Sequence, residues 1–155
     1  NGGKLAYMYI PEHDESGTFH YGIKNEINYI KEIGGVSQTC IEITPILAFQ
    51  LTNWRLTLNP SIDIYLSGNT ETYVLAPSGK LQYELSKDTF IGAEYYSELS
   101  PAGQLSSFSQ RPDMAYLIFD KSIDKKSNLN VGIGQSTHSN SDKWALKLIY
   151  AFSFD

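Results

Sequence analysis

The fold is decided by two runs joined at Thr52-Asn53. The first is Ile41-Glu42-Ile43-Thr44-Pro45-Ile46-Leu47-Ala48-Phe49-Gln50-Leu51, and the second is Trp54-Arg55-Leu56-Thr57-Leu58-Asn59-Pro60-Ser61-Ile62-Asp63-Ile64-Tyr65-Leu66. In the first run Ile41, Ile43, Leu47, Phe49 and Leu51 hold one parity, and Glu42, Thr44 and Gln50 hold the other. In the second, Trp54, Leu56, Leu58, Ile62, Ile64 and Leu66 alternate with Arg55, Thr57, Asn59, Ser61 and Asp63. A period of two gives a strand one apolar and one polar face. Thr52-Asn53 then reads as a two-residue hairpin loop.

The same alternation runs outward in both directions. Phe19, Tyr21, Ile23, Ile27 and Tyr29 stand against His20, Lys24, Glu26 and Asn28. Further runs lie at 73–85, 89–96 and 143–154, with weaker ones at 3–10, 113–121 and 128–136. That makes nine candidate strands, most of them longer than the usual five or six residues. The segment 143–154 also fits an amphipathic helix, but its β-rich surroundings favour a strand. No linker or low-complexity tract divides the chain, so residues 1–155 read as one β-barrel domain, either whole or the carboxyl-terminal part of a longer barrel.

Composition narrows the class. The 12 basic and 17 acidic residues give a net charge of −5, spread without blocks, which argues against a nucleic-acid surface. One cysteine excludes an internal disulfide framework and a multi-cysteine zinc site, so neither metal nor cofactor is expected. The longest apolar stretch, Met114 to Phe119, is far too short for a membrane-spanning helix. Aromatics make up 13 %, led by 11 tyrosines.

Long amphipathic antiparallel strands fit two architectures. A soluble barrel turns the apolar parity inward, whereas a transmembrane barrel turns it to lipid and lines its interior with the polar parity. Strands of about ten residues match a tilted bilayer crossing. Aromatics recur near strand ends, at Phe19, Tyr29, Trp54, Tyr73, Tyr83, Tyr95, Trp144 and Phe154, as interfacial girdles require. The connections also alternate, long at 137–142, 100–112, 67–70 and 32–37, and mostly shorter at 122–127, 86–88 and 52–53. The first connection, 11–18, is longer than this rule wants. The expected fold is an all-β, antiparallel up-and-down transmembrane β-barrel of 8–10 strands.

Several short motifs carry a resemblance. They are Glu42-Ile43-Thr44-Pro45-Ile46, Trp54 through Pro60, Lys80-Leu81-Gln82-Tyr83, Ile91 through Tyr96, and the closing Trp144 with Phe152-Ser153-Phe154. Together, across residues 20–154, they resemble a largely uncharacterised, transporter-like family of Gram-negative outer-membrane β-barrel proteins. The resemblance implies an outer-membrane location and a missing amino-terminal portion, and it implies no particular substrate. Thr44 stands where the family pattern Glu-x-Arg-Pro carries arginine, and Asp155 follows the terminal aromatic, so the chain departs from the family at both points.

Register arithmetic places side chains. With the 52–53 loop, β partners sum to 105, so Pro45 faces Pro60 and Glu42 faces Asp63. With Ser67-Gly68-Asn69-Thr70 as a loop, partners sum to 137 and Pro60 faces Pro77. Three prolines thus share one height, and because proline cannot donate, they mark a bulge or, more sharply, a wall seam passable to an apolar molecule. With Ser86-Lys87-Asp88 as a three-residue turn, partners sum to 174 and Lys80 faces Glu94. The lumen-lining set is expected to hold the acids Glu26, Glu42, Asp63, Glu84, Glu94 and Asp120 and the bases Lys24, Arg55, Lys80 and Lys147. Lys24 and Arg55 are expected to answer the facing acids Glu42 and Asp63. Six acids against four bases make the lumen mildly cation-preferring, although barrels this narrow are often filled by side chains.

Catalytic signals are poor. His138-Ser139-Asn140 invites comparison with barrel lipid hydrolases, but adjacent residues on an extended chain point apart. Gly132-Ile133-Gly134 precedes no helix and is no phosphate loop. The expected function is non-enzymatic: binding or passage of a small solute, with the lipid bilayer as partner and no nucleic acid. A soluble barrel holding an apolar ligand and a barrel lipid-modifying enzyme are the alternatives.

Overall fold

The computed structural model describes residues 2–11, 17–31, 36–68, 72–99, 113–136 and 144–153. It is all-β and antiparallel, with nine strands: β1 (Gly2–Tyr9), β2 (Phe19–Lys31), β3 (Ser37–Leu51), β4 (Trp54–Ser67), β5 (Tyr73–Ser86), β6 (Thr89–Tyr96), β7 (Met114–Ser122), β8 (Ser127–Ser136) and β9 (Trp144–Phe152). Their order in the sheet is their order in the chain. Among the described residues backbone pairing joins only consecutive strands, and the sheet curls into a half-barrel with β1 and β9 at open edges. A closed ring is therefore not what these strands form by themselves.

The registers are set by the turns. Glu42 pairs with Asp63, Leu47 with Leu58 and Leu51 with Trp54, the sum of 105 fixed by the Thr52-Asn53 turn. Pro60 pairs with Pro77, and Lys80 with Glu94. One turn is tighter than its spacing suggests. Ser86 pairs directly with Thr89 and the register slips between Glu84 and Ser86, so a two-residue turn at Lys87-Asp88 is joined to a bulge. The bulge absorbs the odd residue and leaves the rest of β5–β6 in the expected register.

Burial separates the two parities. Glu26, Thr44, Ser61 and Glu94 are buried, whereas the apolar parity is half-buried to exposed, reaching 86 % exposure at Leu146 and 74 % at Leu5. Side chains of the polar parity also reach across intervening strands. Lys80 of β5 meets Asp120 of β7 at 3.0 Å, Arg55 of β4 lies 4.2 Å from the Phe90 ring of β6, and Lys147 of β9 pairs with Glu94 of β6. Strands two or three apart can share such contacts only on the concave side of a curled sheet, so the polar face is the inner one. Aromatic pairs sit on the outer face near the short turns, Phe19 with Phe49 at 5.0 Å and Trp54 with Tyr83 at 4.9 Å between centroids.

Candidate functional site

Alternation and register together bring the charged side chains onto the concave wall in two groups. The first spans β1 to β4. Glu26 pairs with Glu42 across β2–β3, and Glu42 with Asp63 across β3–β4, so three carboxylates stand in a row at one height. Like charges facing across strands repel, and the arrangement needs cations. Lys24 supplies one, with its Nζ 2.8 Å from Glu42 and 3.4 Å from Glu26. Lys4 supplies the other, 3.0 Å from Glu26. Thr44 donates to Glu42 at 2.6 Å, so the hydroxyl contact of 2.9 Å between Thr44 and Ser61 has Ser61 as its donor. The buried Oδ1 of Asp63 has no hydrogen-bond partner.

Arg55 does not join this group. It shares the parity of Asp63 but sits eight residues away along β4, about 26 Å at 3.3 Å per residue, and stacks over Phe90 instead. Parity fixes the face of a sheet and leaves height to the register. Phe90 itself is buried on the polar side, a position that the alternation of its strand does not single out.

The second group spans β5 to β9. Glu94, with 4 % of its side chain exposed, lies between Lys80 at 3.2 Å and Lys147, and accepts from the Tyr96 hydroxyl at 2.8 Å. Asp120 accepts from Gln82 at 3.0 Å and Asn130 at 2.7 Å and pairs with Lys80. Lys147 also lies over the rings of Tyr116 at 5.4 Å and Tyr96 at 5.8 Å. Two carboxylates and two amines make this group neutral within itself. Glu84 lies on the inner parity near the Lys87-Asp88 turn, apart from both groups.

Between the groups lies a hollow of about 390 Å³, bordered by Lys24 and Glu42 on one side and by Tyr96 and Glu98 on the other. Its floor includes Thr44, Asn59, Ser61 and Ser78. Asn59 donates to Ser78 at 3.3 Å, and its buried Oδ1 has no partner. The three prolines meet at the level of this hollow. Between Ile43↔Ile62 and Leu47↔Leu58 the β3–β4 ladder carries no pairs, and Pro45 and Pro60 occupy the middle of that interval.

Lys4, the Thr44–Ser61 contact and the Asp113 cluster escaped the sequence reading. Asp113 is 1 % exposed and accepts from Ser97 at 2.5 Å and Tyr95 at 2.6 Å. Nothing in a single aspartate at a strand start signals that arrangement. Among the described residues no group of three or more His, Cys, Asp or Glu side chains is placed to hold a metal ion. His138-Ser139-Asn140 and Phe154 lie outside the described residues. Comparison with protein-family models, with curated proteins and with solved structures finds no match to this chain.

Proposed function

We propose that the chain is a transmembrane β-barrel protein of a Gram-negative outer membrane that binds or passes a small solute along its polar inner wall. The observation that carries the reading is the inversion of burial. Glu26 and Glu94 are buried, while every one of the nine strands leaves large apolar side chains exposed, from Leu5 in β1 to Leu148 in β9. Soluble monomers rarely leave more than a few hundred Å² of contiguous apolar surface exposed. A bilayer is the solvent that suits such a face: strands β2 to β8 have a partner on either side, and the open edges of β1 and β9 must be covered by further strands for its demand on backbone groups to be met. The soluble alternative, a barrel holding an apolar ligand, needs the apolar parity on the concave side, where the carboxylates and lysines stand.

The inner wall favours passive work. Its charges are mostly paired with one another, which suits a hydrated path or a docking surface. The acidic row at Glu26, Glu42 and Asp63 carries three carboxylates against the two amines of Lys4 and Lys24, in keeping with a mild preference for cations.

The test is folding of the full chain in detergent micelles against plain buffer, read by far-UV circular dichroism and by gel mobility before and after boiling. The expected result is β structure and a heat-modifiable band in detergent only. A monomer folded in buffer alone overturns the reading.

A further inference from the structure

We propose that the proline interval between β3 and β4 is a lateral port, joining the surrounding bilayer to the hollow behind it for a small, uncharged, apolar molecule bearing a hydroxyl or amino donor. The inference rests on the transmembrane reading above. It starts from the backbone. In the register set by Thr52-Asn53, residues 45 and 60 form a hydrogen-bonded pair, so both bonds of that pair require donors that proline lacks. The ladder is accordingly blank between Ile43↔Ile62 and Leu47↔Leu58.

The next seam repeats the feature. Pro77 faces Pro60 in a non-hydrogen-bonded pair, and its missing donor points to β6. There the β5–β6 ladder stops at Ser78↔Tyr96, with Ser97 donating one-sidedly to the Pro77 carbonyl at 3.1 Å. Pairing resumes beyond it at Leu75↔Leu99. The β4–β5 hairpin is thus held weakly along both of its borders at the same height. A wall bent by one proline does not need this alignment, whereas a panel that yields locally does.

What spans the β3–β4 gap is the hydroxyl pair Thr44–Ser61, on the inner side and beside the hollow. A hydroxyl contact exchanges readily with a ligand's own donor, in a way a backbone ladder does not. The hollow holds an acceptor awaiting such a donor, the buried Oδ1 of Asn59. Of its three charges, Lys24 and Glu42 neutralise each other and Glu98 is exposed to solvent, so the buried floor offers a guest no unpaired charge. Its volume of about 390 Å³ lies at the small end of ligand sites.

The experiment uses the full chain in phospholipid vesicles carrying 4-hydroxybenzophenone, an apolar photoprobe with one hydroxyl. Thr44→Cys with Ser61→Cys, in a Cys40→Ala background, places two thiols at a close non-hydrogen-bonded pair, where a disulfide pins the port. After illumination, adducts are mapped by mass spectrometry in the reduced and oxidised states of the same sample. The expected result is labelling of outer residues such as Leu81 and Leu148 in both states, with labelling of Tyr96 in the hollow lost on oxidation and restored by reductant. Equal labelling of Tyr96 in both states, or none in the reduced state, overturns the port. Absence of label on Leu81 and Leu148 overturns the transmembrane reading itself, and the port with it. If the cysteine variant does not fold, Pro45→Val with Pro60→Val, which restores both backbone donors, carries the test. Tyr96 labelling is then expected to fall, and unchanged labelling overturns the port.

Discussion

Glu94 shows what one buried carboxylate demands of its neighbours. It is held by Lys80, Lys147 and the Tyr96 hydroxyl, from its own strand and two others. Removing one amine leaves a desolvated charge short of a partner, which costs about 1–3 kcal/mol. Lys147→Met is therefore expected to lower the urea midpoint of the refolded protein. The double variant with Glu94→Gln should recover much of the loss, because the orphaned charge is gone. A double-mutant cycle with coupling below about 0.5 kcal/mol would show that the pair acts independently. Thr52 makes the opposite case. It adopts φ of 47° in the β3–β4 turn, a region that costs a β-branched residue and suits glycine or asparagine. Thr52→Gly should raise stability by about 0.5–1 kcal/mol, read as a higher urea midpoint at unchanged slope.

At the scale of elements, strands β3 to β5 run 14–15 residues, while β6 to β9 run 8–10. Among the described residues the excess over β6 to β9 is about five residues, roughly 16 Å at 3.3 Å per residue. The contact between β5 and β6 is tight at Gly92. A Cβ there would stand 2.1 Å from the Leu81 carbonyl oxygen, which belongs to backbone and cannot swing aside. Gly92→Ala is expected to part the two strands and to destabilise by about 1–3 kcal/mol, with loss of the heat-modifiable band under milder conditions than wild type. If the band is unaffected, the strands have slack that their register does not suggest. These strands also show how much is legible in sequence. A short turn between cleanly alternating runs determines a register, so Glu42↔Asp63 follows from the two-residue turn at 52–53 and Pro60↔Pro77 from the four-residue loop at 67–70 by counting alone. The bulge at Glu84–Ser86 is invisible to counting, because a three-residue turn and a two-residue turn with a bulge give the same sum. Lys4 escapes it because Gly2-Gly3-Lys4-Leu5-Ala6 alternates too weakly to assign a face. Arg55 is misplaced by it because parity says nothing of height.

For the molecule as a whole, direction and charge set what the half-barrel can become. Eight reversals leave β1 and β9 pointing the same way, so joining them directly would make a parallel pair. An all-antiparallel ring needs an odd number of further strands between them, because such rings have even strand counts. The charge pattern of the inner wall does not wait on that number. The β5–β9 group is self-neutral, so selectivity of any open path should be written at the Glu26–Glu42–Asp63 row, where Asp63 keeps one carboxylate oxygen without a partner. Two variants push it in opposite directions. Glu42→Gln with Asp63→Asn removes two negative charges at nearly constant shape and should move the reversal potential in a salt gradient toward zero, or to the anion-selective side. Lys24→Met withdraws the amine that sits 2.8 Å from Glu42 and should move it further toward the cation limit. Planar-bilayer recordings of both variants against wild type supply the check. Shifts of the same sign, or none in either variant, would mean that permeating ions pass elsewhere than along this row, since one wall cannot become more acidic and less acidic with the same effect on its counter-ions.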